Sequence, residues 1–354
     1  MKSKRITPLK IIVVDDSAFS RQTIKMILEK SKDIDVVGVA YDGQDAIKKI
    51  IRLKPDALTL DLEMPTMDGY TLLRWLMDKH PLPVIVISSH KHDSTVFKAM
   101  ELGAVDFVVK PTSRASQELV TIEEDLLRKL KSLNLLRMEK IKKNIALLDR
   151  RDKIRKVGPK VPDKIEIIAI GASTGGPTAI HSILSVLPSD FPCPIIISQH
   201  MPGGFTRQFA ERLNRICRLN VSESEDYESV ERGKILICPG NHHMYFTETG
   251  GKVTVRLREP SSKDKYTPSI DVMMKSVAQV MGKNVLGVIL TGMGNDGTLG
   301  MAEIKRRGGF TIAESEESSV VYGMSREVIE SGSADSILSL EDIPYEIMRS
   351  LKVL

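Results

Sequence analysis

Two α/β domains joined by a charged helical stretch are the architecture predicted for this chain of 354 residues. Three observations point there. Short, wholly apolar runs alternate with helical periodicity through the first third. The texture changes near residue 113 to leucines spaced among lysines and arginines. The apolar runs then resume at residue 165. A chain of this length can build two separate cores.

In the first third, residues 10–14, 36–40, 57–60, 84–87 and 107–109 read as strands. They are apolar throughout rather than alternating, the pattern of parallel strands buried on both faces. Helical patterns such as 20–30 and 71–79 lie between them. Five βα units in this length predict a doubly wound, five-strand parallel sheet over residues 8–130. Next, Leu126, Leu130 and Leu133, then Met138, Ile141, Ile145 and Leu148, recur at helical spacing. They predict a last helix running into a charged helical linker, 131–162, that Gly158-Pro159 ends. Beyond it, 165–170, 194–198, 234–238, 253–257, 285–291 and 310–313 read as strands, with helical segments at 177–187, 206–216 and 271–281. This is a second α/β domain, 163–354, with a mostly parallel sheet and a hairpin at Gly250-Gly251. No internal repeat stands out.

Composition excludes several classes. A hydrophobic content of 42% and a charged content of 27% suit a soluble globular protein. The net charge of +5 comes largely from the linker, so a solvated basic face is favoured over a nucleic-acid or membrane surface. Cys193, Cys217 and Cys238 are too few and scattered for a disulfide framework or a zinc site. Met-Lys-Ser-Lys-Arg at the start lacks a following apolar segment, and no stretch reaches membrane-spanning length. A reducing, cytoplasmic location is expected, without membrane insertion.

Chemistry-bearing residues gather at strand ends. Asp15 and Asp16 close the first strand, Asp61 the third, Ser88 the fourth and Lys110 the fifth. In a doubly wound sheet those ends face one crevice. Three carboxylates crowded there suit a hard divalent cation such as Mg²⁺. A carboxylate beside that cation can attack a phosphoryl donor to form an aspartyl phosphate. Lys110 and the Ser88 hydroxyl are placed to bind the new phosphoryl oxygens. Asp15-Asp16-Ser17, Asp61-Leu-Glu-Met-Pro-Thr-Met-Asp-Gly69, Ser88 and Lys110-Pro111 resemble the receiver domain of bacterial two-component response regulators. The resemblance implies that Asp61 is the phosphoacceptor and a histidine kinase the donor. It implies Mg²⁺ held by Asp16 and Asp61 with the Glu63 carbonyl, Asp15 assisting. It also implies that Ser88 and Phe107 move on phosphorylation, Phe107 standing where an aromatic switch residue is usual.

In the second domain an apolar strand runs into Gly171-Ala-Ser-Thr-Gly-Gly176. Gly171, Ser173 and Gly175 match G-x-S-x-G, a turn that exposes a nucleophilic serine between strand and helix. A dinucleotide fingerprint needs different glycine spacing, and Asp190 precedes the next strand instead of ending it. A Walker loop needs a lysine where Pro177 stands. An anion at the helix N-terminus remains open. A serine nucleophile needs a base and a group to orient that base. His200 and Asp296 each follow a strand. His242 and His243 do so too, Asp271 competes with Asp296, and His181 reads as a structural residue within a helix. The chain order Ser…His…Asp differs from that of the α/β-hydrolases.

The runs Gly171-Ala-Ser-Thr-Gly-Gly176, Gln199-His-Met-Pro202, Pro268-Ser-Ile-Asp271 and Leu290-Thr-Gly-Met-Gly-Asn-Asp-Gly297 resemble the catalytic domain of chemotaxis protein-glutamate methylesterases. The resemblance implies Ser173 as nucleophile, His200 as general base and Asp296 as orienting acid, with the Met293 amide serving the oxyanion. It implies hydrolysis of glutamate γ-methyl esters on chemoreceptor helices with no cofactor for the esterase, and in some relatives glutamine deamidation. The receiver then covers the cleft until it is phosphorylated. In the run Val320-Val-Tyr-Gly-Met-Ser325-Arg-Glu, Ser325 stands where that family usually carries proline. Two other classes remain: a non-catalytic, ligand-binding output domain, and a DNA-binding one, which the alternating strands and helices disfavour.

Overall fold

The structure is a computed structural model and describes residues 7–88, 93–110, 116–133, 138–148 and 164–353. Pro111 and the later linker with Gly158-Pro159 lie outside the described residues. The chain divides into two units, Met1–Lys142 and Lys143–Leu354.

In the first unit, strands β1 (Leu9–Val14), β2 (Ile34–Ala40), β3 (Ala57–Asp61), β4 (Val84–Ser88) and β5 (Asp106–Val109) alternate with helices α1 (Ala18–Glu29), α2 (Gly43–Leu53), α3 (Gly69–Lys79), α4 (Asp93–Glu101) and α5 (Ser116–Ser132). The strands form one parallel sheet in the order β2-β1-β3-β4-β5. Its inner strands β1 and β4 are Val- and Ile-rich and β3 is Leu- and Ala-containing because helices cover both faces; every residue of β3 and β4 is buried. Only edge strand β2 is half-exposed along most of its length. Ser17, Asp42 and Asp68 cap α1, α2 and α3 by accepting from Ser20, Asp45 and Thr71 amides. Leu126 and Leu130 of α5 are buried, as their spacing predicts. Helix α6 (Met138–Leu148) follows and runs across the division between units.

The second unit carries β6 (Ile167–Ala172), α7 (Gly176–Leu184), β7 (Ile195–Gln199), α8 (Phe205–Ile216), β8 (Asn220–Glu223), β9 (Lys234–Ile237), β10 (His243–Thr249), β11 (Lys252–Arg258), α9 (Ile270–Met281), β12 (Val285–Ile289), α10 (Thr298–Arg306), β13 (Phe310–Glu314), α11 (Met324–Glu330), β14 (Ser336–Leu338) and α12 (Ile343–Ser350). Seven strands form a sheet in the order β14-β13-β12-β6-β7-β9-β8, every pair parallel. The hairpin at Gly250-Gly251 forms, but β10 and β11 make a separate two-stranded sheet. Both of those glycines have positive φ, which a tight hairpin turn requires. Met273, Met274 and Val277 of α9 pack with Ile167, Ile196 and Ile289 of the large sheet and Met244, Phe246 and Val255 of the hairpin. Each such side chain, fully buried, contributes about 1.5–3 kcal/mol. That packing holds the N-terminus of α9 beside the carboxyl ends of β6 and β12.

Candidate active site

The first unit gathers its carboxylates where the strand order reverses between β1 and β3. Ligand oxygens of Asp15, Asp16 and Asp61 lie within 4.8 Å of one another. Lys110 Nζ is 2.6 Å from Asp61 Oδ2 and 3.0 Å from Asp15 Oδ2. Burial pushes the Asp15 and Asp61 carboxyls above their usual range, against the pull of Lys110. Burial works against the Lys110 charge as well, but the two carboxylates outweigh it and hold its pKa above the ordinary value. Three carboxylates against one ammonium leave an electronegative, oxygen-only pocket, which suits a hard divalent cation. The Glu63 amide donates to Asp61 Oδ1 at 3.2 Å, which draws that loop over the pocket. Ser88 ends β4, and its carbonyl accepts from the Lys110 amide. Phe107 is buried, edge-on to Phe97, with its carbonyl accepting from Lys129 Nζ at 2.6 Å.

In the second unit β6 lies between β12 and β7, so the loops following these three adjacent strands meet. Ser173 follows β6, His200 follows β7 and Asp296 follows β12. The β6–α7 turn is sharp: Gly175 has φ +79°, and a Cβ on Gly176 would lie 2.0 Å from Gln199 Oε1. Backbone bonds fix the turn, with the Ser173 amide donating to the Thr291 carbonyl at 3.0 Å and Gln199 Nε2 to the Ser173 carbonyl at 2.9 Å. His200 Nδ1 is 3.2 Å from Ser173 Oγ, and His200 Nε2 is 2.8 Å from Asp296 Oδ2.

Asp296 is buried within a set of donors. Its Oδ1 accepts from Ser269 Oγ, the Asp271 amide and the Gly297 amide, and its Oδ2 from the Ile270 amide. Burial alone would raise its pKa, but His200 and these amides outweigh it and hold the carboxyl below its usual range. An ionised Asp296 has no proton to give, so His200 carries its hydrogen on Nε2. That leaves the Nδ1 lone pair facing Ser173, the arrangement a general base needs. Asp271 is excluded as its competitor. Its Oδ1 accepts from the Gly297 and Gly300 amides at the start of α10, while Asp296 accepts from the first amides of α9, whose N-cap is Ser269.

Comparison with known proteins shows the family. The family model described as CheB methylesterase matches residues 168–347, and that described as response regulator receiver domain matches residues 11–122. A protein-glutamate methylesterase/protein-glutamine glutaminase of Geobacter sulfurreducens is 47% identical, covering 96% of this chain and 97% of the relative. The chain belongs to the CheB methylesterase family. A relative of the same description in Pyrococcus abyssi is 39% identical over 98% of this chain and 94% of its own. The crystal structure of the Thermotoga maritima CheB methylesterase catalytic domain superposes with TM-score 0.51 at 39% identity, covering 54% of this chain and all of that one.

Within this CheB-family chain the supporting layer is polar, buried and mostly unmarked by any sequence pattern. The Thr291 amide donates to Glu314 Oε2, and Thr291 Oγ1 donates to the Thr174 carbonyl and accepts from the Val321 amide. No spacing signal marks such a contact, because β12 and β13 meet only in the sheet. The Met293 amide donates no hydrogen bond among the described residues and is therefore available to an oxyanion. Ser325 is buried in the first turn of α11, and its hydroxyl has no hydrogen-bond partner among the described residues. A proline there would forfeit no intrahelical bond. The Cys193 and Cys217 thiols are pushed by burial up to about 12, which leaves them poor nucleophiles.

His243, one of the rival bases, is wholly buried at the start of β10. Its Nδ1 accepts the Ser269 amide at 3.1 Å, and its Nε2 lies 3.3 Å from Asp264 Oδ2. It thus supports the residue that caps α9 and contacts Asp296. Burial, then the charge of Arg258, hold its pKa below the ordinary value despite Asp264. The unfolded chain takes up this proton near pH 6.5 and the folded one resists it. Stability is therefore unaffected above about pH 6.5 and declines as the pH drops below it. The unfolding midpoint of the second unit should fall between pH 7 and pH 5, and less steeply in His243→Asn. Parallel slopes for the two proteins would assign the acid sensitivity elsewhere.

Proposed function

We propose that this protein hydrolyses γ-methyl esters of glutamate residues on chemoreceptor helices, under control of phosphorylation at Asp61. The observation that carries the esterase reading is the continuous Ser173–His200–Asp296 hydrogen-bond chain. As Ser173 Oγ attacks the ester carbonyl, its proton passes to His200 Nδ1, and the Met293 amide donates to the oxyanion. Ionised Asp296 stabilises the imidazolium formed. Collapse breaks the C–O bond to the methoxy group, which leaves as methanol with the proton from Nδ1. A water then gives a proton to Nδ1 and attacks the acyl carbon, releasing the glutamate side chain and restoring Ser173. The relatives' names include glutaminase; the same steps with ammonia as leaving group convert glutamine to glutamate.

The receiver site supports regulation. Asp15, Asp16 and Asp61, with the Glu63 carbonyl, would hold Mg²⁺, which when bound offsets the charge of an incoming phosphoryl group. The Asp61 carboxylate attacks phosphorus, and the bond to the phosphohistidine nitrogen of a kinase breaks. Lys110 and Ser88 then face the new phosphoryl oxygens, and Phe107 reports the rearrangement. Domain limits of 8–130, 131–162 and 163–354 accompany this reading. Among the described residues no helix is long and apolar enough to cross a membrane.

Methanol release from methylated receptor membranes tests both parts. Wild type is expected to release methanol, and a small-molecule phosphodonor with Mg²⁺ to raise the rate about 5–150-fold. Asp61→Asn should keep the basal rate and lose the stimulation. A protein that releases no methanol and does not react with a fluorophosphonate would instead be a ligand-binding output domain.

A further inference from the structure

The two hydrogen bonds of His200 both engage the edge of its ring. The ring turns only about Cβ–Cγ, and the bonds to Ser173 Oγ at 3.2 Å and Asp296 Oδ2 at 2.8 Å oppose that rotation from the edge without touching the ring face. A contact on the ring face opposes that rotation further. Tyr266 supplies it: its ring stacks on His200 with centroids 5.1 Å apart and planes 6° from parallel.

Tyr266 is itself held in place. Its hydroxyl donates to Asn295 Oδ1 at 3.4 Å, next to Asp296. Gly294, at φ +93°, admits it closely, since a Cβ there would stand 2.4 Å from the hydroxyl oxygen. Three residues on, Ser269 donates to Asp296, and the amides of Ile270 and Asp271 do the same. One short segment therefore grips the acid by hydrogen bonds and the base by its face. The Lys265 ammonium stands over the Tyr266 ring at 4.9 Å.

From this geometry we infer that Tyr266 is a positioning residue for the general base: its ring face sets the plane of the His200 imidazole and stabilises the imidazolium formed during acyl transfer. The inference rests on the esterase reading above. An aromatic face attracts a cation more than a neutral ring, so the contact strengthens as His200 takes the Ser173 proton. An interaction that grows toward the transition state raises kcat rather than lowering KM.

The test compares Tyr266→Leu and Tyr266→Phe with wild type in methanol release from methylated receptor membranes and in inactivation by a fluorophosphonate. Tyr266 is half-buried in a loop, and equal unfolding midpoints would confirm that both variants fold. Tyr266→Leu should lose about three- to thirtyfold in kcat with KM within about twofold, and the inactivation rate should drop by the same factor. Tyr266→Phe keeps the ring face and should stay within about twofold of wild type. A Leu variant as fast as wild type would overturn the inference. So would a loss confined to KM, which makes Tyr266 a substrate wall, or a Phe variant as slow as Leu, which moves the effect to the hydroxyl. Should the Leu variant not fold, the Phe variant alone still decides, because the inference requires it to be active. Silence of the wild type in both assays would instead refute the esterase reading itself.

Discussion

Ser173→Ala should lower methanol release from methylated receptor membranes by at least about 10³-fold, while leaving the protein folded. In the proposed mechanism the hydroxyl is the nucleophile, and it is the group that His200 Nδ1 contacts among the described residues. None of the bonds that shape the turn uses the side chain: the Ser173 amide donates to Thr291, its carbonyl accepts from Gln199 Nε2, and the Gly176 amide returns to the same carbonyl. Alanine keeps all three. It removes one hydrogen bond to His200, so stability should change by about 1 kcal/mol or less. Unfolding curves and methanol release measured on the same preparation separate the two effects. Retention of more than about a tenth of the wild-type rate, far above what a missing nucleophile allows, would take the role from Ser173.

Asp296→Asn should cost about 10⁴-fold in kcat, through the tautomer of His200 rather than through the fold. The asparagine must present its NH₂ to one of two sets of donors. Turned toward the Oδ1 position it would oppose the Asp271 and Gly297 amides. Turned toward the Oδ2 position it opposes only the Ile270 amide and His200 Nε2. In the second orientation His200 can shift its hydrogen to Nδ1, so only the Ile270 amide stays opposed, and that orientation is favoured. It makes Nε2 an acceptor, puts the imidazole hydrogen on Nδ1 and removes the lone pair that Ser173 needs. The lost charge at the N-terminus of α9 should also lower stability by about 1–2 kcal/mol. Kinetics and thermal unfolding of the variant check both. An activity above about 1% of wild type, a hundredfold more than the wrong tautomer predicts, would show that Asp296 does not set the proton's position.

Much of this arrangement is legible in the amino-acid sequence. The inner strands stand out because a parallel strand covered on both faces must be apolar throughout, as β3, β4 and β6 are. Gly250-Gly251 marks its hairpin through the positive φ the turn demands. The short edge strands β8 and β14 do not stand out, since Asn220–Glu223 and Ser336–Leu338 have an exposed side and carry no apolar run. The rival histidines cannot be separated by pattern either, because His200 and His242-His243 all follow strands. What separates them is adjacency: β7 pairs directly with β6, whereas His243 opens β10 in another sheet. Asp271 and Asp296 are equally opaque. Each accepts from amides at the start of a helix, and only the packing of α9 against the sheet places Asp296 on His200.

By itself, then, the sequence determined the two α/β units, the crevice carboxylates and the serine at its glycine turn. These depend on local rules: burial on two faces, strand-end placement, and a backbone bend that only glycine permits. Tertiary structure alone decided which histidine and which aspartate complete the chain, where the imidazole proton sits, and that Tyr266 lies flat on the base. Those depend on strand order and on distances of a few ångströms between residues far apart in the chain, which no spacing along it encodes.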